Sequence, residues 1–344
     1  METYENTDPL PNPLMTVGLA YNLKKGIESV IEDIEAEYDS IETILAIKEA
    51  LERLQCKVEL LEADSGIFHK LLSTKLDIVF NIAEGIHGRG REAQVPAILN
   101  FLKIPFVGSD ETTLCLSLDK ALSKRFLSTY KIKTPRYKIF NSICPNTKVN
   151  LKFPVIVKPN AEGSSKGISD IAVAENHEEL RQLIEKNISA YCQSVLVEEF
   201  IQGREFTVAI VGNGGETLIF PPMEIKYKNR GQKYNIYSFN VKKNYKEYVD
   251  YICPADLDKS AEKKMKVMAG KIYRLLECKD FSRVDFRMAE DGEIYFIEIN
   301  PLPGLAPGYS DYPMITQFNG VGYTDTIKMI LNSALKRYGI KQLI

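Results

Sequence analysis

Apolar runs of strand length alternate with helical patterns at the start of the chain. Three of these runs predict strands, over residues 15–20, 58–61 and 77–82. Apolar residues over 40–54 form one broad helical face, and 96–102 is predicted to be helical as well. Alternating strands and helices are typical of a doubly wound α/β domain with a parallel sheet. A functional crevice is then expected where the strands end, after Ala20 and after Asn81.

The rest of the chain is predicted to form two further units. A helix that includes residue 118 carries Asp119-Lys120 and Lys124-Arg125. The strands and the helix that follow are predicted over 155–158, from 168, over 178–188 and over 195–199. Later come more strands, a Lys- and Tyr-rich segment over 226–251, and a final helix. We therefore divide the chain into an N-terminal α/β domain of residues 1–116, a central lobe of 117–205 and a C-terminal lobe of 206–344.

Composition narrows the class of protein without naming a function. The 344 residues carry a net charge of −2, which lacks the basic excess expected of a nucleic-acid binder. No apolar run approaches the roughly 20 residues of a membrane-spanning helix, and no signal peptide is recognised. The six cysteines show neither metal-site nor disulfide spacing. We therefore expect a cytoplasmic protein without nucleic-acid or membrane partners.

The most informative polar residues lie on two predicted strands joined by a turn. Asp291-Gly292 between two alternating segments predicts a two-residue hairpin turn. With the turn centred there, Asp285 lies opposite Glu298 and Arg283 opposite Asn300, all on one face. Two opposed carboxylates destabilise a sheet by about 0.2–1 kcal/mol unless a cation lies between them. Since Mg²⁺ prefers oxygen ligands, the hairpin predicts a site for Mg²⁺ bound to nucleotide phosphates.

A solvated charged face is the alternative interpretation of this hairpin. The residues that alternate with the polar ones are apolar, namely Val284, Phe286, Ile297 and Ile299. Apolar neighbours indicate a buried sheet, so we favour the metal site.

A glycine- and serine-containing loop over 159–167 is a second candidate site. It includes Glu162, Gly163, Ser164 and Ser165, and it follows a strand that ends in Lys158. Small residues let backbone N–H groups approach phosphate oxygens, and the serines add donors. A lysine in an otherwise apolar strand needs an anionic partner, which a nucleotide phosphate would supply. An ordinary glycine-rich turn explains the loop equally well when it is considered alone.

A third candidate is the strand end that carries Glu198 and Glu199, followed by Ile201, Gly203 and Glu205. A strand that ends in carboxylates and then glycine can present main-chain groups and one acid to a heterocycle and a ribose. A plain connection between two strands is the alternative.

The order of these motifs is more specific than any one of them, and it resembles the ATP-grasp superfamily. The nearest likeness is to the D-alanine–D-alanine ligases, over about residues 77–322. The matching motifs read Lys158-Pro-x-x-Glu162-Gly-Ser-Ser, Glu198-Glu-x-x-x-Gly-Arg-Glu205, Arg283-Val-Asp285-Phe and Glu298-Ile-Asn300-x-x-Pro303-Gly304. The resemblance implies a doubly wound N-terminal domain followed by a two-lobed fold that clamps ATP.

The resemblance also implies a role for each matching residue. The ATP-binding residues would be Lys120, Lys158, Glu162, Gly163, Ser164, Ser165, Glu198, Glu199, Ile201 and Glu205. The metal ligands would be Asp285, Glu298 and Asn300, holding two Mg²⁺ ions with Mn²⁺ as an alternative. The catalytic groups would be Arg283, Gly304, Ser164 and the lid residue Lys242.

The substrate-binding elements resemble the family less closely. The Gly-Gly-x-Ser-x-Glu loop of the ligases is absent, and Glu37 lies at a suitable distance to replace its glutamate. A later loop resembles their His-Gly-x-x-Gly-Glu pattern, so His87 and Glu92 are expected at the substrate. Near the C-terminus, Ser310 would take the role of a serine that contacts the second amino acid, or Tyr309 would reshape the pocket. The lid segment differs as well, because its lysine is retained as Lys242 but the lid tyrosine of the ligases does not align. These three differences together argue against simple D-alanine specificity.

The predicted reaction is ATP-dependent formation of a peptide or amide bond through an acyl phosphate. The substrates would be small amino acids or carboxylic acids, and the resemblance implies a homodimer. One alternative is an ATP-grasp ligase for other amino acids or a natural-product acid. A non-catalytic ATP-binding regulator is a further alternative, which the retention of every metal and phosphate position disfavours.

Overall fold

The computed structural model describes residues 15–27, 35–143, 149–163, 172–228 and 233–344. Within these ranges the strands form three sheets, one parallel and two antiparallel. The N-terminal elements are β1 (Met15–Tyr21), α1 (Ile41–Arg53), β2 (Cys56–Glu62), α2 (Ile67–Ser73), β3 (Ile78–Asn81), α3 (Gln94–Leu102), β4 (Phe106–Val107), α4 (Glu111–Leu118) and α5 (Lys120–Thr129). The short helix α2 was not expected, because seven residues show little periodicity.

The N-terminal sheet has helices on both faces. Its strands are parallel in the order β2-β1-β3-β4. On β1, Val17 and Leu19 join the core beneath α1, whereas Ala20 packs with residues of α2 and α3. Strands buried on both faces are apolar in nearly continuous runs, which is the pattern read from the sequence. The predicted doubly wound domain is confirmed.

The helix predicted around residue 118 is in fact two helices. Asp119 ends α4, and its side chain accepts a hydrogen bond of 2.9 Å from the Leu122 N–H at the start of α5. Lys120 therefore lies in the first turn of a new helix, where its backbone N–H donates to the Asn160 carbonyl (3.0 Å). An aspartate is a preferred N-cap because it satisfies a free N–H group of the first turn. The break brings Lys120 next to the predicted phosphate loop.

The central sheet is antiparallel in the order β5-β8-β6-β7. Its elements are β5 (Tyr137–Phe140), β6 (Val155–Pro159), β7 (Val173–Ala174), α6 (His177–Tyr191) and β8 (Val195–Glu199). One face packs against α6 through Val155, Val157 and their neighbours on β8. Because side chains alternate along a strand, Lys158 and Glu198 lie on the other face.

The C-terminal sheet is antiparallel in the order β12-β11-β9-β13-β14, with β10 beside β9. Its elements are β9 (Gly203–Val211), β10 (Leu218–Ile219), β11 (Met223–Tyr227), α7 (Phe239–Lys243), α8 (Tyr245–Tyr248), β12 (Val249–Ile252), α9 (Lys259–Leu275), β13 (Phe281–Ala289), β14 (Ile294–Asn300), α10 (Asp311–Phe318) and α11 (Tyr323–Arg337).

The β13–β14 turn differs from the two-residue prediction. The loop spans residues 290–292, because the Ala289 N–H donates to the Glu293 carbonyl (2.9 Å). Gly292 has a φ of 80°, as a three-residue hairpin loop requires. Between the turn and Phe286 the strand pairing is therefore one residue away from the predicted register. A bulge between Phe286 and Asp285 restores the predicted register. Asp285 lies opposite Glu298 and Arg283 opposite Asn300, as predicted.

The last helix belongs to the same core as the first sheet. Buried residues of α11, including Ile330 and Leu331, pack with Ile44 and Ile47 of α1. The predicted boundaries at 116 and 205 stay predictions. Within the described ranges, no helix is long and apolar enough to span a membrane.

Candidate active site

A narrow cleft of about 90 Å³ lies between the central and C-terminal sheets. Its lining includes the predicted ATP-binding residues Lys158, Glu198, Glu199, Ile201 and Glu205, together with Asp285 and Glu298. The bulge in β14 lets the consecutive residues Ile297 and Glu298 both line this cleft. The sheets thus bring together residues that are far apart in the sequence.

Glu198 forms a buried ion pair with each of two lysines. Its carboxylate lies 2.6 Å from Lys158 Nζ and 3.0 Å from Lys124 Nζ. Burial opposes charge on Glu198, but the two ammonium groups outweigh it and lower the pKa of the carboxyl group. Glu198 therefore stays ionised and fixes both lysines in the cleft.

Lys124 was not predicted as a site residue. Its side chain is fully buried, and its Nζ lies 2.9 Å from the Thr134 hydroxyl. Burial lowers the pKa of Lys124 to about 8, against the opposing effect of Glu198. The sequence signal was its position four residues after Lys120, which places both lysines on one helical face.

Glu205 is held at the far end of the cleft. It accepts hydrogen bonds from Arg287 (2.9 Å) and from the Tyr227 hydroxyl (2.7 Å). Burial raises the pKa of Glu205 despite the adjacent guanidinium group. Arg287 also lies 4.7 Å from the centre of the Phe200 ring. Arg287 was missed, although the alternation that places Arg283 and Asp285 on one face of β13 includes it as well.

The predicted metal ligands face one another across β13 and β14. The Arg283 guanidinium group donates two hydrogen bonds to Asp285, of 3.0 and 2.8 Å. The Asn300 amide donates to the same carboxylate (3.1 Å), which leaves its oxygen for another contact. Arg283 also lies 3.3 Å from Asp311, a buried residue that was not predicted.

Glu298 is strongly anionic. Burial opposes its charge, but Lys120, Lys158 and Arg283 together lower the pKa of Glu298 to about 2. Lys120 Nζ lies 3.4 Å from this carboxylate and also donates to the Glu162 carbonyl. The carboxylate is therefore charged near neutral pH.

The donor set fits a hard cation. Two carboxylates lie directly opposite each other, and an amide oxygen is two residue pairs away on the same face. In the part of the chain that the structure describes, no group of three or more His, Cys, Asp or Glu side chains is arranged as a metal site. A cation here would thus take its remaining ligands from phosphate oxygens and water.

The phosphate loop is only partly described. Glu162 and Gly163 lie beside Lys120 and Glu298 in a small cavity. Ser164 and Ser165 lie outside the described residues, so their predicted roles stay predictions.

A larger cavity of about 770 Å³ adjoins the predicted metal ligands. It lies at the ends of β1 and β3, where the crevice was predicted, and Lys24, Ile82 and Glu84 contribute to its lining. Among the predicted residues it contains Glu37, Glu92, Gly163, Lys242, Arg283, Asn300, Gly304, Tyr309 and Ser310. The predicted substrate and oxyanion residues thus meet in one space.

His87 is the exception among the predicted substrate residues. It is exposed and lines a separate cavity with Arg91 and Tyr191, and it does not line the large one. The reason is that residues 86–89 form the outer part of a loop, whereas Arg91 and Glu92 turn inward and are buried.

Glu37 is already engaged by protein groups. Its carboxylate accepts hydrogen bonds from the Arg91 guanidinium group and from the Gly163 N–H. Arg91 also lies 3.3 Å from Glu162 and donates to the Ala161 carbonyl (2.8 Å). The family pattern His-Gly-x-x-Gly-Glu, aligned on residues 87–92, has its second glycine at the position of Arg91. This difference is the feature of the sequence that could have identified Arg91 as a site residue. The pair connects the N-terminal domain to the phosphate loop.

Gly304 and Ser310 lie against each other at one wall of the large cavity. A Cβ atom on Gly304 would lie 2.8 Å from the Ser310 hydroxyl oxygen, so a larger residue there would require the Ser310 side chain to move. The Ser310 hydroxyl accepts a hydrogen bond from the Ala306 N–H (3.2 Å). Tyr309 is partly exposed at the rim of the same cavity.

The described residues 233–251 of the Lys- and Tyr-rich segment contact this wall. The Tyr245 hydroxyl donates to the Gly308 carbonyl (2.8 Å), and the Tyr237 hydroxyl donates to Asp311 (3.2 Å). Lys242 on α7 lines both the large cavity and the narrow cleft. Burial lowers the pKa of Lys242, and the neighbouring Arg283 adds to this effect.

Solved structures of ATP-dependent ligases share this fold. The D-alanine–D-alanine ligase from Bacillus anthracis, complexed with ATP, matches with a TM-score of 0.72 at 20% identity, over 94% of this chain and 99% of that one. The VanG D-Ala:D-Ser ligase from Enterococcus faecalis matches with a TM-score of 0.73 at 22% identity, over 93% and 99%. The predicted ATP-grasp architecture is confirmed, and the chain is a protein of the ATP-grasp class.

Sequence similarity identifies the family within this class. Residues 128–332 match the family described as D-ala D-ala ligase C-terminus. The D-alanine–D-alanine ligase of Aquifex aeolicus is 36% identical over 297 residues, which cover 85% of this chain and 94% of that protein. That of Thermotoga maritima is 33% identical over 299 residues, covering 86% and 92%. The chain belongs to the D-alanine–D-alanine ligase family and is an ATP-dependent carbon–nitrogen ligase of that kind.

Proposed function

We propose that the protein joins two amino acids, by activating the carboxylate of the first with ATP and condensing it with the amine of the second. The observation that carries this proposal is the position of Arg283. It lies beside the opposed carboxylates Asp285 and Glu298 and also lines the large cavity. Phosphate activation and amide formation would therefore occur within reach of each other.

In the first step, a substrate carboxylate oxygen takes the γ-phosphoryl group of ATP, which yields an acyl phosphate and ADP. Lys120 and Lys158 are suited to hold the phosphates, because both are buried cations beside Glu298. Glu198, Glu199, Ile201 and Glu205 line the part of the narrow cleft that would take the adenosine. Ser164 and Ser165 are proposed as further phosphate donors.

Asp285, Glu298 and the Asn300 amide oxygen would hold the metal, with two Mg²⁺ ions expected and Mn²⁺ able to replace them. When bound, the metal neutralises charge on the phosphates and aligns them for transfer. Glu298 is ionised as this role requires, since its pKa is about 2. Burial raises the pKa of Asp285 despite the adjacent Arg283, and a bound cation would favour its charged form.

In the second step, the amine attacks the acyl phosphate, an amide forms, and phosphate and a proton leave. The oxyanion of the tetrahedral intermediate would be stabilised by Arg283 and the Gly304 N–H. Arg283 is held in place by Asp285 and Asp311. Glu37, Glu92, Tyr309 and Ser310 would contact the two amino acids, and His87 would act from the adjoining loop.

The segment over 226–251 is proposed as a lid that excludes water from the acyl phosphate. The hydrogen bonds of Tyr245 and Tyr237 to the wall around Gly308 and Asp311 support this role. Lys242 would then face the phosphates from the lid. A homodimer also belongs to the proposal and rests on the family resemblance. The division at residues 116 and 205 rests on the pattern of strands and helices, and the cytoplasmic location rests on composition.

The proposal is tested by supplying ATP, Mg²⁺ and a panel of amino acids, and measuring phosphate release together with product mass. Glu298→Gln should reduce turnover by at least about a thousandfold, since it removes a charged metal ligand. Glu293→Gln is the matched control, because Glu293 is an exposed acid of the same hairpin. Unchanged turnover in Glu298→Gln would refute the metal assignment. Nucleotide binding without phosphate release for any amine would support a regulator instead.

A further inference from the structure

One wall of the large cavity holds more carboxyl groups than the proposed reaction requires. Four carboxylates on the N-terminal side are close enough to influence one another: Glu37, Asp39, Glu84 and Glu92. All four line the cavity. Only Glu37 has a cationic partner, Arg91, whose guanidinium group forms an ion pair with it.

The other three carboxylates are not paired. Across the described ranges, no hydrogen bond or ion pair engages the carboxylates of Asp39, Glu84 or Glu92. Glu92 is only 9% exposed, and this remaining surface faces the cavity. Asp39 and Glu84 are partly buried. A carboxylate withdrawn from water without a partner is costly, and three of them lining one cavity indicate a ligand site.

The electrostatic cost appears in the titration of all three groups. Burial raises the pKa of Asp39 to about 7 and that of Glu92 to about 8. The pKa of Glu84 is raised well above its usual range by burial and by the neighbouring Glu92 and Glu37. A cationic ligand would return these groups to their ionised state.

The ligand is an organic cation, because the carboxylates do not form a metal cluster. Over the residues that the structure describes, no group of three or more His, Cys, Asp or Glu side chains has the arrangement of a metal-ion site. A cavity of about 770 Å³ also falls within the roughly 300–1,000 Å³ of pockets for drug-sized ligands, and two alanines would leave much of it empty.

The number of acids indicates how many cationic groups the ligand carries. The α-ammonium group of an ordinary amino acid has three donors, which one or two carboxylates satisfy. Three unpaired carboxylates are more than a single α-ammonium group requires. Glu92 also lines the small cavity with Lys120, Glu298 and Asn300, so the acidic wall begins at the phosphate end of the site. The amino acid that is activated therefore lies against this wall.

We propose that the activated amino acid is a basic one, which carries an ammonium or guanidinium group on its side chain in addition to the α-ammonium group. Asp39, Glu84 and Glu92 select it by binding the two cationic groups. This inference rests on the proposed ligase function and names the substrate class of the same site.

The first test compares basic amino acids with neutral ones of matched shape. Purified protein receives ATP, Mg²⁺ and each enantiomer of lysine, ornithine, arginine, norleucine or alanine, with phosphate release and product mass as the readouts. The kcat/KM for lysine or another basic amino acid should exceed that for norleucine about a hundredfold, since two charge-assisted contacts are gained. Norleucine or alanine as the better substrate overturns the inference and leaves the ligase function intact. No phosphate release with any amino acid overturns both.

The second test uses isosteric variants of the acidic wall. Glu84→Gln and Asp39→Asn should each raise the KM for the basic amino acid about tenfold, with kcat and the KM for ATP little changed. At alkaline pH, where the wall carboxyl groups ionise, both should also raise the melting temperature of the ligand-free protein, because each removes a partly desolvated and unpaired charge. Glu49→Gln, an exposed acid on α1, is the matched control and should change none of these values. An unchanged KM in both wall variants contradicts the proposal.

Discussion

Glu298 and Glu92 show how one site can shift two carboxyl groups in opposite directions. Glu298 is surrounded by Lys120, Lys158 and Arg283, and its pKa falls to about 2 in spite of burial. Glu92 is buried with Arg91 on one side and with Glu37 on the other, and burial dominates, so its pKa rises to about 8. Glu298 is already ionised, as a metal ligand must be, whereas Glu92 would ionise beside a cationic ligand.

The raised pKa of Glu92 makes the stability of the protein depend on pH. A carboxyl group with a pKa near 4.5 when unfolded and about 8 when folded stabilises the fold below pH 4.5 and loses this effect as pH rises to 8. Asp39, with a folded pKa of about 7, acts in the same direction. The facing groups Arg91, Glu37, Lys120, Glu84 and Glu162 modulate the effect.

We therefore expect the melting temperature of the ligand-free protein to fall between pH 5 and pH 8, and Glu92→Gln to flatten this fall. Thermal unfolding at several pH values measures it. Equal slopes in the wild type and in Glu92→Gln would show that Glu92 is not the group responsible.

At the scale of single elements, helix ends and strand irregularities position the charged groups. Asp119 ends α4 and caps α5, which places Lys120 beside the phosphate loop. The bulge in β14 turns Ile297 and Glu298 to the same cleft. Neither feature follows from periodicity, because a cap and a bulge each interrupt a regular pattern at one residue.

Removing the Asp119 cap should affect both stability and nucleotide binding. Asp119→Ala is expected to lower the free energy of unfolding by about 1 kcal/mol. It should also raise the KM for ATP several-fold, since Lys120 is in the first turn of the helix that loses its cap. Urea denaturation and steady-state kinetics give the two values.

Asp110→Ala provides the comparison, because Asp110 caps α4 in the same way through the Thr113 N–H (3.0 Å). It should cost a similar amount of stability without changing the KM for ATP. Equal effects of the two variants on that KM would argue that the cap of α5 has no special role.

At the scale of the whole molecule, the N-terminal domain and the C-terminal part share one core. The helices α1 and α11 pack together, and buried residues of both contact the first sheet. Asp280, which is fully buried, ties the two parts by accepting from the Gly108 N–H (2.8 Å) and from Arg337 (2.7 Å). The large cavity depends on this arrangement, since its walls come from both parts.

Asp280→Ala should lower the free energy of unfolding by about 3 kcal/mol, because it leaves Arg337 without its buried partner. Lys336→Ala, which removes an exposed ion pair with Glu216, should cost less than about 1 kcal/mol. Urea denaturation measures both values. A loss in Asp280→Ala no larger than that in Lys336→Ala would contradict the proposed role of Asp280 in joining the two parts.

The architecture and the pairing of the polar hairpin could be predicted from the sequence alone. Continuous apolar runs identify strands buried on both faces, and period-two alternation places Arg283, Asp285, Glu298 and Asn300 on one face. Both patterns are local, because a strand exposes its two faces in strict alternation. The turn was predicted one residue too short, and a compensating bulge kept the register at the site.

Only the tertiary structure decided which distant residues meet. Lys124 with Glu198, Arg91 with Glu37 and the three unpaired acids of the cavity wall come from separate elements. Their charges depend on burial and on neighbours, which no local pattern specifies. For the same reason His87, which a motif predicted at the substrate, lies exposed on the outside of its loop. The reaction could therefore be predicted from the sequence, and the charge of the substrate pocket could not.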